Sequence, residues 1–353
     1  MKIGILTFHC AYNFGALLQA YALQTQLELW NHNASILNYR PDYLSQDEPQ
    51  MRLLSFIKHP FKYSFIRKHH NSRVQHYRLF KDFENSYFNL DAINSINKEY
   101  DLLIIGSDQI WNQKYNGKER IWYGYTPDNI QAKRIITYAA SAGDATANEL
   151  GPDITNSTFN MFDCILVREQ RLQQALSQIG IESALVLDPV LMASKKVWRD
   201  WLVPKQNKEK YIVVYQGRSD NRILEFARNM ASKNGWKTIT VDMYDNSYST
   251  PYEHIDLSPE GFVKIIANAA CVVTSSFHGT AIAIIANTPF YSICMDDGAD
   301  GRVLELLTKL SLEDRFIRVT DDTCFMPIDY TPINHKLEVL RQQAQQKLSQ
   351  NLY

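Results

Sequence analysis

Cysteine is scarce in this 353-residue chain and is never paired in sequence. The five cysteines, at 10, 164, 271, 294 and 324, are odd in number and nowhere spaced as CxxC. That argues against a disulfide framework or a zinc ribbon. Cys164, Cys271 and Cys294 stand inside apolar runs and read as small buried hydrophobes, which fits a reducing, cytoplasmic compartment. Long hydrophobic runs are missing as well. No window approaches the ~20 apolar residues of a spanning helix. The opening run, residues 1–8, is too short for a secretory signal, and His9 and Asn13 follow it closely. There is no excess of one charge either: the net charge of −1 argues against a dedicated nucleic-acid binder. The GxxxxGK[ST] loop, the HExxH pair, the GxSxG elbow and the EF-hand loop are all absent, and the scattered aspartates make no DxD-type site. No metal and no cofactor is expected.

The composition, 45% hydrophobic and 21% charged, is that of an ordinary globular chain, and its length suits two domains. Aromatics are plentiful, with 20 Tyr, 16 Phe and 6 Trp. They fill a core, or some of them line a cleft for a flat or sugar-like ligand. Short continuous apolar runs at 2–8, 34–38, 102–105, 134–140, 164–167, 211–215, 237–241, 271–274 and 290–293 read as strands buried on both faces. Helical patterns, such as 15–30 and 280–287, alternate with them. Strands alternating with helices imply βαβ units with right-handed crossovers and parallel sheets. The fold class is therefore α/β.

Two prolines and a polar cluster between Leu187 and Lys208 mark the boundary. The expected division is a first domain over 1–187, a second over 188–334, and a polar, Gln-rich helix within 335–353 that packs back on the first. One stretch breaks the pattern. Residues 58–81 hold seven Lys/Arg, four His and no acid, interleaved with Phe61, Tyr63, Phe65, Tyr77 and Phe80. The stretch is a solvated helical face with an apolar stripe, an interfacial segment that meets anionic lipid head groups at the membrane surface or a diphosphate-linked acceptor, or, as a third reading, a nucleic-acid patch.

Four turns stand where strands end and helices begin, which is where open α/β sheets bind ligands. In Thr274-Ser275-Ser276-Phe277-His278-Gly279-Thr280, the hydroxyls of Ser275, Ser276 and Thr280 are neutral donors. Gly279 lets a ligand approach the backbone, and the helix N-terminus favours an anion. His278 adds a proton carrier. In Gly106-Ser107-Asp108-Gln109-Ile110-Trp111-Asn112, Asp108 can take a hydroxyl proton or cap a helix. Gln109 and Asn112 can orient hydroxyls, and Trp111 can stack on a pyranose or sit in the core. In His9-Cys10-Ala11-Tyr12-Asn13-Phe14-Gly15, Asn13 binds an acceptor or caps the helix; GxGxxG spacing is missing. Arg168 follows a buried strand and can fork onto a carboxylate or phosphate, or form an ordinary ion pair.

Taken together, these residues resemble the polysaccharide pyruvyl transferase family. The matching pieces are Gly4-Ile5-Leu6-Thr7-Phe8 running into Asn13-Phe14-Gly15-Ala16-Leu17-Leu18-Gln19, then the Gly106–Asn112 motif just quoted. Arg168-Glu169, Asp188-Pro189-Val190 and Ser275-Ser276-Phe277-His278-Gly279-Thr280 follow, in family order, over roughly residues 2–295. The resemblance implies two Rossmann-like domains facing a cleft, GT-B-like. The implied reaction transfers the enolpyruvyl unit of phosphoenolpyruvate to two hydroxyls of one sugar. The implied acceptor is a cell-surface polysaccharide or its precursor, free or carried on undecaprenyl diphosphate. By resemblance His278 is the acid/base, and Arg168 holds the donor's carboxylate or phosphate. In one departure, Ser276 stands where some members carry arginine, so another cation, for instance from 58–81, compensates or the donor differs. A nucleotide-sugar glycosyltransferase and a non-catalytic glycan-binding subunit are the competing readings.

Overall fold

The first half of the chain lays down five parallel strands in an order that reverses in the middle. The computed structural model describes residues 1–44, 70–93, 98–143, 154–203, 209–217, 220–241, 254–296, 300–321 and 323–353. Strand β1 (Lys2–Leu6) leads into helix α1 (Phe14–Leu29), β2 (Asn33–Leu37), α2 (His70–Tyr87) and β3 (Leu90–Asp91). Strands β4 (Lys98–Tyr100), β5 (Leu102–Ile105), β6 (Ile130–Ala132) and β7 (Ile135–Thr137) follow. The sheet order is β3-β2-β1-β5-β7, with β4 and β6 paired beside it. Ile3 is in register with Ala34 on one side and Leu102 on the other. Strand β8 (Leu166–Val167), helix α3 (Gln170–Gln178) and β9 (Ala184–Leu185) extend this unit, with bridges joining Ile136 to Cys164 and Ala140 to Val167.

Two short helices, α4 (Pro189–Met192) and α5 (Lys195–Trp198), lead to the second sheet. It comprises β10 (Tyr211–Tyr215), α6 (Asn221–Asn234), β11 (Lys237–Val241), β12 (His254–Ile255), α7 (Pro259–Ala267), β13 (Cys271–Thr274), α8 (Phe277–Ile285), β14 (Phe290–Ile293), α9 (Asp300–Leu310) and β15 (Phe316–Ile317). Its order, β12-β11-β10-β13-β14-β15, is that of a Rossmann sheet, again all parallel. The molecule is thus two Rossmann-like α/β units. Strands such as β5 and β13 are buried at every position, because helices cover both faces.

Helix α1 is buried on nearly all sides, and the two units join around it. Phe14 at its start stacks on Phe262 of α7 at 4.3 Å and meets Tyr215 of β10 edge-on at 5.7 Å. One apolar core therefore runs from Ile3 and Leu23 through Phe14 to Phe262 and Ile282. Burying a ring such as Phe14 contributes ~1.5–3 kcal/mol. The last helix, α10 (Tyr330–Gln350), begins earlier than its polar sequence suggests, capped by Asp329. It lies along the connection between the units: Arg341 Nε donates to Leu191 O at 3.1 Å, Gln345 to Met192 O at 2.9 Å and Lys347 to Leu185 O at 2.8 Å. Among the described residues, no helix is long and apolar enough to cross a membrane.

Of the basic stretch 58–81, residues 58–69 lie outside the described residues. The remainder belongs to α2, where Phe80 is buried and His76 stacks on it at 4.3 Å. Burial pushes the His76 imidazole down to about 4. Lys81 pairs with buried Glu84 at 2.9 Å. Phe80, which the sequence reading offers to a membrane surface, faces the core instead.

Candidate active site

Both sheets reverse strand order at one place, between β1 and β5 and between β10 and β13. Chain leaving those strands diverges to opposite faces of the sheet, and a crevice opens at their carboxyl ends. The two crevices face each other across a single cavity of about 380 Å³. Ala11, Asn13 and Gly15 enter it from the turn after β1, and Asp108, Gln109 and Tyr115 from the loop after β5. Tyr215 and Gly217 come from the end of β10, and Ser275, Ser276, Phe277 and His278 from the turn after β13. Arg302 of α9 completes the wall.

Two helices aim their N-termini here. Asn13 caps α1, its Oδ1 accepting from Ala16 N at 2.8 Å. Ser276 caps α8, which begins at Phe277, three residues ahead of the sequence expectation. His278 therefore sits in the first turn of a helix and leans across onto the first turn of the other. A Cβ on Gly15 would stand 2.2 Å from Nδ1 of His278, so the ring occupies the space that only glycine leaves open.

On its other side, His278 Nε2 is 3.7 Å from Oδ2 of Asp188, an ion-pair distance and not a hydrogen bond. Asp188 caps α4 through Val190 N at 2.9 Å and accepts from Arg168 Nη1 at 2.6 Å. Burial alone would raise its carboxyl, but His278, Arg168 and the Val190 amide more than offset that. They hold it well below the usual carboxylate range. Arg168 Nε donates to Glu169 Oε1 at 2.8 Å. One guanidinium and two carboxylates thus form a buried cluster of net single negative charge behind His278.

Asp108 has a left-handed backbone, φ 72°, which Asp tolerates because its short side chain bonds locally: Oδ1 accepts from Gln109 N at 2.8 Å. No helix follows it, so it is not a helix cap. Beneath it, Gln19 Nε2 donates to Thr7 Oγ1 at 2.9 Å, and Gln19 Oε1 accepts from Ser107 Oγ. That buried amide ties the end of β1 to the end of β5 and fixes the loop carrying Asp108.

Several residues fall elsewhere than the sequence reading expects. Trp111 is 0% exposed, donates Nε1–H to Trp122 O at 2.9 Å and meets Phe159 edge-on; it is core and cannot stack on a sugar. Asn112 stands behind Gln109, giving a hydrogen bond to its Oε1 at 2.9 Å, and does not line the cavity. Thr280 is fully buried, and its hydroxyl contacts Ser292 Oγ at 2.7 Å and Ser276 O at 3.1 Å. Gly279 packs on Thr274 and Tyr215; a Cβ there would lie 2.4 Å from Thr274 Oγ1, so its role is packing and not ligand approach. Arg168, 6% exposed, does not line the cavity: both carboxylates beside it consume its charge. Asn13, Gln109, Asp108, Ser275, Ser276 and His278 are brought together as expected.

Sequence reading missed Arg302, Tyr115 and Tyr215, and gave Asp188 no role at the site although Asp188-Pro189-Val190 is among the pieces that match the family. Asp188-Pro189 carried a signal, since Asp followed by Pro marks a capped helix start, but in sequence it reads as the head of a linker. The buried His9 belongs to the first turn yet takes no part; burial, with Arg40 adding to it, lowers its imidazole below the ordinary range.

Among solved structures, the chain is similar to the E. coli heptosyltransferase WaaC with ADP-2-deoxy-2-fluoro heptose. Identity is 11% over 83% of this chain and 88% of that one, with a TM-score of 0.40. It is also similar to the S. aureus MnaA-UDP co-structure, with 13% identity over 98% and 91% and a TM-score of 0.46. For the glycosyltransferase SnogD from Streptomyces nogalater the values are 11% over 98% and 95%, with a TM-score of 0.41. No curated protein matches the chain. Residues 13–294 match the family model described as polysaccharide pyruvyl transferase.

Proposed function

Because the chain belongs to the polysaccharide pyruvyl transferase family, we propose that it moves the enolpyruvyl group of phosphoenolpyruvate onto two hydroxyls of one sugar. The product is a pyruvate ketal, and phosphate is released. One observation carries the proposal: a single cavity between the two sheets holds an imidazole backed by a buried carboxylate, a separate carboxylate and two capped helix N-termini.

The reaction has a use for each group. A proton added to the donor's methylene carbon leaves positive charge on the neighbouring carbon, which bears the phosphate oxygen. A sugar hydroxyl attacks that carbon and surrenders its proton. The carbon–oxygen bond to phosphate then breaks, regenerating the cationic carbon, and the second hydroxyl closes the ketal. Of the two hydroxyl protons released, one replaces the proton placed on carbon and the other leaves with phosphate. His278 delivers the first proton from its imidazole, which lines the cavity beside Gly15. Asp188 fixes the ring from behind and accompanies the imidazolium electrostatically. Asp108 accepts a hydroxyl proton. Help of this kind is typically worth ~10²–10⁴ in rate. The amides at the start of α8, with Ser275 and Ser276, receive phosphate oxygens. Asn13 and Gln109 orient the acceptor, with Asn112 steadying Gln109.

The test is mass spectrometry of candidate glycan acceptors, free and diphosphate-linked, incubated with the full chain and phosphoenolpyruvate. The expected product gains one pyruvate less one water, with one phosphate released. A nucleotide sugar that raises the melting temperature where phosphoenolpyruvate does not would overturn the assignment; saturation at ~100 times the dissociation constant stabilises by roughly 2.7 kcal/mol.

A further inference from the structure

A donor carrying both a carboxylate and a phosphate needs a permanent positive charge where it binds. Helix N-termini supply only about half a charge each. An anion taken out of water without a paired cation is held at considerable cost. His278 cannot fill the role throughout, because it gives up its proton in the reaction. Arg168, the expected partner, is shut behind the cavity wall by Asp188 and Glu169. Among the described residues lining the cavity, the one lysine or arginine is Arg302.

We infer that Arg302 binds the negative charge of the donor and positions it against His278; this rests on the donor assignment above. Arg302 is the third residue of α9, an element of the second unit, and lines the cavity together with Ser275, Ser276 and His278 of that unit. The same side chain borders a void of about 20 Å³ shared with Arg168, Asp188, Leu306 and Glu305. It therefore stands between the buried charge cluster and the cavity. A guanidinium stays charged at every working pH and offers a planar fork that matches either a carboxylate or a phosphate. The site is thus a cation from the second unit facing a carboxylate, Asp108, from the first. That polarity seats the anionic donor on the second unit and the neutral, hydroxyl-bearing acceptor against the first.

The test is calorimetric titration of phosphoenolpyruvate alone into the full chain and into Arg302→Gln and Arg302→Lys. Truncating one partner of a charge-paired hydrogen bond costs enough to weaken binding by roughly 10²-fold, so Arg302→Gln should lose about that, with Arg302→Lys recovering part of it. As a check that needs no variant, phosphoenolpyruvate should protect Arg302 of the wild-type chain from phenylglyoxal, read by peptide mass spectrometry. Wild-type binding with undiminished affinity in Arg302→Gln, or labelling of Arg302 that the donor does not slow, overturns the inference alone. A wild-type chain that does not bind phosphoenolpyruvate at all overturns the donor assignment and this inference with it.

Discussion

The imidazole of His278, from the second unit, rests on the backbone of Gly15, from the first, so closely that a Cβ on residue 15 would meet Nδ1 at 2.2 Å. The contact joins the starts of α1 and α8. It also makes the orientation of the proton carrier depend on both units.

Gly15→Ala should therefore act at a distance from its own chemistry. The added methyl forces the His278 ring aside, and overpacking of this kind costs ~1–3 kcal/mol. The chain should still fold, shown by its circular dichroism. Phosphoenolpyruvate-dependent phosphate release should drop about 10²-fold, as expected when a reacting group moves by about 1 Å. Turnover within a factor of about three of wild type would show that the ring is free to move.

His278→Ala and Asp108→Asn should each remove one proton-transfer partner and lose ~10²–10⁴ in turnover while melting within a few degrees of wild type. The two losses should not multiply fully in the double variant, since both act on one reaction centre. Near-normal turnover in His278→Ala would end its assignment as the acid.

Asp188→Asn probes the cluster behind the ring. With its carboxyl held below the usual range, Asp188 contributes stability that is complete above its unfolded value near pH 4 and is lost only as pH falls through the depressed folded value. Replacing it strands Arg168 with one carboxylate and should cost roughly 3–5 kcal/mol. That gap should stay open from about pH 8 to about pH 5 and narrow below about pH 4. Urea midpoints of both chains across this range measure it. A gap that closes between pH 8 and pH 5 would contradict the sign argued here.

Trp111 separates core from cleft. Trp111→Ala should destabilise by ~3–5 kcal/mol. Trp111→Phe, which loses the hydrogen bond to Trp122 O but keeps an aromatic ring, should leave the KM for the acceptor unchanged. A large rise in that KM without loss of stability would restore Trp111 to the sugar site.

Local patterns carried much of this structure. Runs such as residues 102–105 and 271–274 announce strands covered on both faces, and their alternation with helices dictates parallel sheets. Turn chemistry placed Asn13, Asp108, Ser275, Ser276 and His278 at strand ends, and these meet in one cavity because each sheet reverses its strand order there. Burial was not legible. Trp111, Thr280 and Arg168 have the chemistry of ligand-binding groups, and sequence spacing does not say which side of a loop wall a side chain takes. Tertiary packing decided that: it turned Trp111 inward, satisfied Thr280 on Ser292, and closed Arg168 between Asp188 and Glu169. Packing also set Asp188 behind His278, Gly15 beneath it and Arg302 in the lining of the same cavity. These pairings join residues far apart in the chain, held by a shared core and not by any local propensity. By itself the sequence determined the strands, their parallel arrangement and the chemical groups at their ends; only the folded contacts between the two units decided which of those groups face one another.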